Sequence, residues 1–199
     1  VFGGASVGAS GSLDLSSLSG VNGFVLNGID LGDNSGRCVS SAGDVNSDGM
    51  DALIIGAPSA DPSGRSDAGE SYVVFGGAGV GASGSLDLSA LTGTNGFVLN
   101  GIDMDDFSGR SVSSAGDFNG DGEDDLIIGA SGADPNGQAR AGESYVVFGG
   151  AGVGAGGSLD LSTLNGANGF VLNGNDADGE SGRSVSCAGD VNGDGVEDL

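Results

Sequence analysis

The sequence predicts an all-β protein built of β-propeller blades, each a four-stranded antiparallel sheet. One observation behind this fold class is a repeat of 73 residues without insertion or deletion: Val1-Phe2-Gly3-Gly4 returns at Val74 and again at Val147. The other is a succession of short apolar runs flanked by glycine, which is typical of strands in a turn-rich fold. A period of this length indicates one supersecondary unit copied in tandem.

The unit from 108 to 180 contains four candidate strands. The small residues of 109–116 predict a first strand near a crowded propeller axis, and the apolar run 126–130 predicts a second strand buried on both faces. The turn Asp134-Pro135-Asn136-Gly137 follows, with proline and glycine placed as a turn needs them. Residues 142–149 and 169–174 predict the third and fourth strands, separated by a Gly/Ser-rich excursion. Four strands per repeat is the anatomy of a propeller blade.

The repeat divides the chain into four parts. Residues 1–34 are predicted to hold the last two strands of a preceding blade, and 35–107 and 108–180 to form one complete blade each. Residues 181–199 are predicted to begin a further blade, so we expect the chain to be part of a longer array. A stacked β-solenoid is the alternative, but 73 residues are too many for one coil, and the short solenoid periodicities are absent.

The composition excludes several functional classes. The chain has 28 acidic against five basic residues and a net charge of -23, which argues against nucleic acid and anionic membrane as partners. No transmembrane span is visible, so we expect no membrane insertion. There is no histidine or lysine, which excludes Ser-His and lysine nucleophiles within this chain. Both cysteines, Cys38 and Cys187, stand where the other units carry serine, so we expect neither a disulfide framework nor a metal role for them.

An acidic loop of the form Asp-x-Asn-x-Asp-Gly recurs in register in all three units. Oxygen-bearing side chains fall at positions 1, 3 and 5, and glycine at position 6 allows the chain to turn sharply. This spacing directs several oxygens at one hard cation, for which calcium is the usual occupant. The candidate ligands at these positions are Asp44, Asn46 and Asp48; Asp117, Asn119 and Asp121; and Asp190, Asn192 and Asp194.

Other uses of this loop motif fit the sequence less well. An EF-hand needs a bidentate glutamate at position 12 and flanking helices, whereas position 12 here is Ile55 or Ile128, inside a strand pattern. A dockerin-like module is also helical, and a glycine-rich nonapeptide β-roll lacks its characteristic run in this chain. A plain Asx-turn hairpin that binds no metal remains the alternative.

Together these residues resemble the FG-GAP repeats of the integrin α-subunit N-terminal propeller and its bacterial relatives. The resemblance rests on Phe75-Gly76 and Phe148-Gly149, on Gly56-Ala57-Pro58, on the repeated Ser-Gly-Arg, and on Gly-Asp-x-Asn-x-Asp-Gly before Asp-Leu. It implies a seven-bladed propeller with calcium held in the hairpin between the first two strands of some blades. It further implies as ligands, beyond positions 1, 3 and 5, the carbonyls of Glu123 and Val196 and the carboxylates of Asp125 and Asp198 at position 9.

The first loop departs from this pattern. Its position 9 is Ala52, and the carboxylate has moved to Asp51 at position 8. Adjacent side chains diverge on a hairpin, so we expect Asp51 to point away from the ion and the first site to be weak or empty. The acids just before each Ser-Gly-Arg, among them Asp33 and Asp106, are expected to be solvated loop residues, and a role in a ligand site or second cation site on one rim is the alternative.

The resemblance implies a calcium-binding module for extracellular binding or adhesion, with a protein or glycan ligand on the loop-bearing rim. We predict that the chain is not an enzyme and that it lies outside the cell or on its surface. Two alternatives stay open: an accessory domain of a secreted hydrolase whose catalytic domain lies elsewhere, and a purely structural surface array.

Overall fold

The computed structural model describes residues 1–199 and is almost entirely β-structure. Its strands are β1 (Val25–Asn27), β2 (Cys38–Gly43), β3 (Ala52–Ala57), β4 (Glu70–Val74), β5 (Ser85–Asp87), β6 (Gly96–Asn100), β7 (Ser108–Gly116), β8 (Asp125–Ala130), β9 (Glu143–Val147), β10 (Ser158–Asp160) and β11 (Gly169–Asn173). The only helical elements are short 3₁₀ turns at Leu15–Ser17, Pro62–Gly64, Leu88–Ala90, Pro135–Gly137 and Leu161–Thr163. None of these is long and apolar enough to cross a membrane. The all-β prediction is confirmed.

Two sheets repeat the same antiparallel order. Strands β2, β3, β4 and β6 lie side by side in one sheet, and β7, β8, β9 and β11 in the other. Each set consists of the four segments that the sequence predicts as strands. This arrangement agrees with blade-like sheets. The number of blades in a closed ring stays a prediction.

The main hydrophobic core lies between the two sheets. Its buried side chains include Ile54 and Val73 from the first sheet and Leu126 and Tyr145 from the second. All six residues of β8 are buried, as expected of a strand enclosed on both faces. In β3, by contrast, Leu53 is 41% exposed, while the other five residues of the strand are buried.

Close backbone contacts join the two sheets and join β8 to the chain that follows. A Cβ atom built on Gly56 would lie 1.9 Å from the carbonyl oxygen of Gly109, and one built on Gly129 would lie 1.8 Å from that of Gly182. Real atoms do not approach so closely, so these positions require glycine. The first strand, β7, which was predicted from its small residues, therefore packs against a glycine of β3, the second strand of the neighbouring unit.

The Gly/Ser-rich excursion contains a strand that the sequence did not predict. Strand β5 pairs in parallel with β1, and β10 pairs in parallel with β6, so each joins the sheet of the preceding unit. The first sheet thereby gains a fifth strand, in the order β10-β6-β4-β3-β2. Each repeat is thus tied to the one before it by main-chain hydrogen bonds.

Candidate metal centre

Two of the acidic loops lie in equivalent hairpins. The first loop connects β2 to β3, and the second connects β7 to β8, both at the turn between the first two strands of a sheet. The third loop follows the same path and is closed by an isolated antiparallel bridge between Gly189 and Asp198. The sequence placed these loops between strands, and for the first two the structure agrees.

The second loop is held in shape by bonds from its own backbone to its acidic side chains. The carboxylate of Asp117 accepts the backbone N–H of Asp121 and of Gly122, both at 2.9 Å. The side-chain oxygen of Asn119 accepts the N–H of Asp121 at 2.8 Å, and Asp121 accepts that of Glu123 at 2.9 Å. These are Asx-type turns, which fix a tight loop without a helix or a ladder.

The third loop repeats this network. Asp190 accepts the N–H of Asp194 at 3.1 Å and of Gly195 at 2.9 Å. Asn192 accepts the N–H of Asp194 at 2.9 Å, and Asp194 accepts that of Val196 at 3.0 Å. The same residue types at the same spacing therefore give the same fold in both loops.

Position 9 lies beneath the loop. Asp125 is fully buried, and its carboxylate accepts the backbone N–H of Phe118 at 3.1 Å, of Asn119 at 3.3 Å and of Gly149 at 2.8 Å. Burial raises the pKa of this carboxyl to about 6, and the negative charge of Asp121 adds to the rise, while the three N–H donors oppose it. A buried carboxylate without a cationic partner in contact is an unfavourable charge that a bound cation would neutralise.

The first loop differs at two further points. Ser47 adopts a φ of 62° where the other loops carry glycine, so its backbone is strained. With Ala52 at position 9, no carboxylate lies beneath the loop, and the buried side-chain oxygen of Asn46 has no hydrogen-bond partner. A carboxylate arrives from the next unit instead, since Asp124 accepts the backbone N–H of Asp44 at 2.9 Å. Sequence reasoning missed this role of position 8, because it joins residues 80 apart in the chain.

The loop residues are near one another but do not form a ready-made cage. No group of three or more His, Cys, Asp or Glu side chains is arranged so as to hold a metal ion. The donor set itself, made of carboxylate, amide and carbonyl oxygens, fits a hard cation such as calcium. Each carboxylate oxygen that accepts one N–H keeps a further lone pair. The residues therefore fit calcium chemically, and its binding requires their side chains to converge.

A second acidic group lies away from the loops. Asp103, Asp106, Asp134 and Glu143 line a cavity of about 250 Å³, and the preceding unit repeats it at about 270 Å³ with Asp30, Asp33, Asp61 and Glu70. The expectation that all the acids before Ser-Gly-Arg are solvated was wrong for two of them: Asp33 and Asp106 are only 9% and 6% exposed. Burial, then the charges of Asp103, Glu143 and Asp134, raises the pKa of Asp106 to about 7.

Because the pKa of Asp106 is raised, we expect acidification to stabilise the calcium-free protein. An acid whose pKa is raised on folding contributes stability that is fully present below its unfolded pKa and is lost as pH rises through the folded value, here from about 4 to 7. We expect Asp106→Asn to raise the melting temperature by about 5 °C at pH 8, corresponding to about 2 kcal/mol, and by much less at pH 5. Thermal unfolding in EGTA at both pH values measures this. Asp176→Asn, at an exposed site, is the matched control, and an equal gain in both variants would contradict the prediction.

Comparison with known protein families matches part of the chain. The sequence model described as FG-GAP repeat matches residues 39–74 and 108–147. These segments cover β2 to β4 and β7 to β9, including the first and second acidic loops. No curated protein matched the sequence.

Proposed function

We propose that this chain, which contains two FG-GAP repeats, is a calcium-binding, propeller-like module for extracellular binding or adhesion, in which calcium rigidifies the loops between the first two strands. The observation that carries this proposal is the buried Asp125 carboxylate beneath the second loop. It is held against that loop by two backbone N–H donors, and its pKa is raised. A cation in the loop would offset a buried negative charge that otherwise has backbone N–H donors but no cationic partner.

Five groups in the second loop would hold the ion. They are the side chains of Asp117, Asn119, Asp121 and Asp125 and the carbonyl oxygen of Glu123. In the third loop the corresponding groups are Asp190, Asn192, Asp194, Asp198 and the carbonyl of Val196. The ion would neutralise carboxylates that repel one another and would fix the hairpin, so that part of the binding free energy becomes folding free energy.

The first loop is proposed as a weaker site. Asp44, Asn46 and Asp48 are present, and the unpartnered oxygen of Asn46 is a free acceptor that a cation would satisfy. Ala52 supplies no ligand at position 9. Calcium affinities of about 10⁻⁴ to 10⁻³ M are typical of extracellular modules, and a module of that kind would be loaded outside the cell.

The acidic loops of successive units are linked, which supports a role for this rim as a binding surface. The contact between Asp124 and the N–H of Asp44 is one link. A backbone bond of 2.9 Å from Gly150, which follows β9, to the carbonyl of Val45 also ties the first loop to the second unit. Calcium in one hairpin would therefore also steady its neighbour. The proposed partner is a protein or glycan that docks on this rim, and the net charge of -23 makes nucleic acid an unsuitable one.

A calcium titration followed by calorimetry tests the metal sites. We expect two ions to bind with similar affinity, in the second and third loops, and a third to bind at least tenfold more weakly in the first loop. Ala52→Asp, which restores position 9, should strengthen the weak site. Absence of any binding heat up to several millimolar calcium, on folded protein, would refute the calcium proposal.

Binding of the labelled chain to glycan and extracellular protein arrays tests the adhesion part separately. We expect retention in calcium that is lost in EGTA and in Asp125→Asn. Retention that is the same with and without calcium would mean that the loops do not form the binding surface.

A further inference from the structure

The second acidic loop places an asparagine directly before a glycine, a pair in which the backbone can attack the side-chain amide. Asn119 precedes Gly120, whereas the first loop carries Ser47 after its asparagine. Glycine has no side chain to hinder the approach of its own backbone nitrogen to the preceding Cγ atom. The chain contains further Asn–Gly pairs, so local structure determines which of them can react.

The backbone nitrogen of Gly120 is available as a nucleophile. Its N–H donates no hydrogen bond, and the residue is exposed. The corresponding Ser47 of the first loop is exposed as well, although the second unit packs beside that loop. A neighbouring unit therefore leaves this position open, and a base from solvent can reach the N–H of Gly120.

The side-chain amide of Asn119 is held and polarised by Asp121. The Oδ1 atom of Asn119 accepts the backbone N–H of Asp121 at 2.8 Å, and its Nδ2 atom donates to the Asp121 carboxylate at 2.9 Å. When the nitrogen of Gly120 adds to Cγ, negative charge develops on Oδ1, and a backbone N–H already directed at that atom stabilises it. The first loop lacks this bond, since the Oδ1 atom of Asn46 has no hydrogen-bond partner.

The other Asn–Gly pairs lack one of these features. Gly28 is exposed, but no N–H reaches the Oδ1 atom of Asn27, whose amide only donates to Asp87. In three pairs the glycine is buried away from solvent: Gly23, Gly96 and Gly169. In five pairs a hydrogen bond holds the glycine N–H: Gly101, Gly137, Gly166, Gly174 and Gly193.

We propose that Asn119 is a site of spontaneous deamidation. The nitrogen of Gly120 forms a bond to the Cγ atom of Asn119 and gives its proton to solvent, in a reaction favoured because both groups belong to one chain. The Cγ–Nδ2 bond then breaks, and the amide nitrogen takes a proton from water and leaves as ammonia. Water opens the resulting cyclic imide at either carbonyl, which gives aspartate or isoaspartate. This inference does not rest on calcium binding.

Either product changes the loop permanently. Aspartate adds a carboxylate to a loop in which Asp117 and Asp121 already lie close together, so the repulsion between like charges increases. Isoaspartate places the β-carbon in the main chain and lengthens by one atom a turn that the backbone bonds to Asp117 hold in register. The second loop thus undergoes a slow, one-way change as the molecule ages.

Peptide mapping by mass spectrometry tests the site. The folded chain is incubated for days in mildly alkaline buffer with EGTA, cleaved after arginine, and compared with a sample cleaved without incubation. One peptide, residues 111–140, contains both Asn119 and Asn136. Asn136 is the internal control, because the N–H of Gly137 donates to the carbonyl of Asp134 at 3.1 Å.

We expect Asn119 to convert at least about tenfold faster than Asn136, since only its amide oxygen accepts a stabilising N–H. The products should be two peptides of equal mass, heavier than the original by the difference between water and ammonia. Equal rates at the two asparagines, or no conversion of Asn119 during the incubation, would overturn the proposal.

Incubation in urea separates the effect of the loop from that of the local sequence. Asn119 and Asn136 both precede glycine, so we expect similar rates once the chain is unfolded. If Asn119 kept its full advantage in urea, then its neighbours in the sequence rather than the folded loop would cause the preference, and the structural argument would be wrong.

The variant Gly120→Ser gives the second loop the Asn–Ser pair of the first loop. Ser47 adopts a φ of 62°, close to the 75° of Gly120, so the folded loop accommodates serine in this conformation. We expect conversion of Asn119 to slow at least about tenfold, because the serine side chain hinders the attacking nitrogen. Asn136 should react as before. Undiminished conversion of Asn119 would contradict attack by this nitrogen.

Discussion

Calcium should raise the melting temperature of this protein by about 10 °C when it is present at millimolar concentration. The estimate follows from two sites with a dissociation constant of about 10⁻⁴ M, each contributing about 1.4 kcal/mol at about 1 mM calcium through binding to the folded state alone. For a chain of 199 residues, each kcal/mol corresponds to about 2–4 °C. Thermal unfolding in calcium and in EGTA, followed by circular dichroism, measures the difference.

The variant Asp125→Asn should have opposite effects in the two conditions. The pKa of the Asp125 carboxyl is raised to about 6, so at pH 8 the group is a buried negative charge that lowers stability. Because the variant removes this charge, it should be as stable as the original protein or more stable at pH 8 without calcium. With calcium it loses a carboxylate ligand, so about half of the calcium-dependent gain should disappear. The pattern distinguishes a metal ligand from a structural residue, because a structural role would lower stability in both conditions.

Asp176→Asn is the matched control for this experiment. It removes one negative charge at an exposed position outside the acidic loops. We expect it to keep the full calcium response. Equal melting of the original protein with and without calcium would reduce the loops to hairpins held by the backbone bonds to Asp117 and Asp190.

The strand order and the loop positions could be predicted from the sequence because both are local and repeated. Three copies of the loop in register fix its spacing, and glycine-flanked apolar runs mark β3, β8, β4 and β9. The parallel strands β5 and β10 of the excursions could not be predicted in this way. Each is three residues long, and each is formed by pairing with a different unit rather than by its own pattern.

The burial and the bonding partners of some acidic side chains could not be predicted from the sequence either. The positions of Asp33 and Asp106 in the sequence suggest solvated loop residues, but packing of neighbouring segments buries both. Asp124 lies in the second loop by sequence, yet it bonds to the first. Short-range spacing thus predicted which residues form each loop, whereas contacts between units decided their burial and partners.

Replacing Gly129 by alanine should destabilise the protein by about 3 kcal/mol or more. A Cβ at this position would lie 1.8 Å from the carbonyl oxygen of Gly182 and 2.7 Å from its carbon. Both are backbone atoms, so no side chain can turn aside, and β8 must move away from the following unit. Overpacking of a rigid contact typically costs about 1–3 kcal/mol, and backbone atoms lie at the upper end of that range.

The corresponding change Gly56→Ala should have a similar effect, because it would meet the carbonyl oxygen of Gly109 at 1.9 Å between the two sheets. Urea unfolding of each variant measures the loss as a lower midpoint at similar slope. In the double variant, the two losses of unfolding free energy should add only if the two contacts act separately. A combined loss smaller than the sum would show that one displaced contact already loosens the other.

Gly156→Ala is the matched control for the glycine contacts. A Cβ at Gly156 would meet only one atom, at 3.9 Å, and the corresponding positions of the other units carry Ser10 and Ser83. We expect no loss there, and a gain of a few tenths of a kcal/mol from the less flexible unfolded chain. If Gly129→Ala were as stable as this control, then the backbone contact between units would not hold them together. The burial of all six residues of β8 would then be the main stabilising feature at that junction.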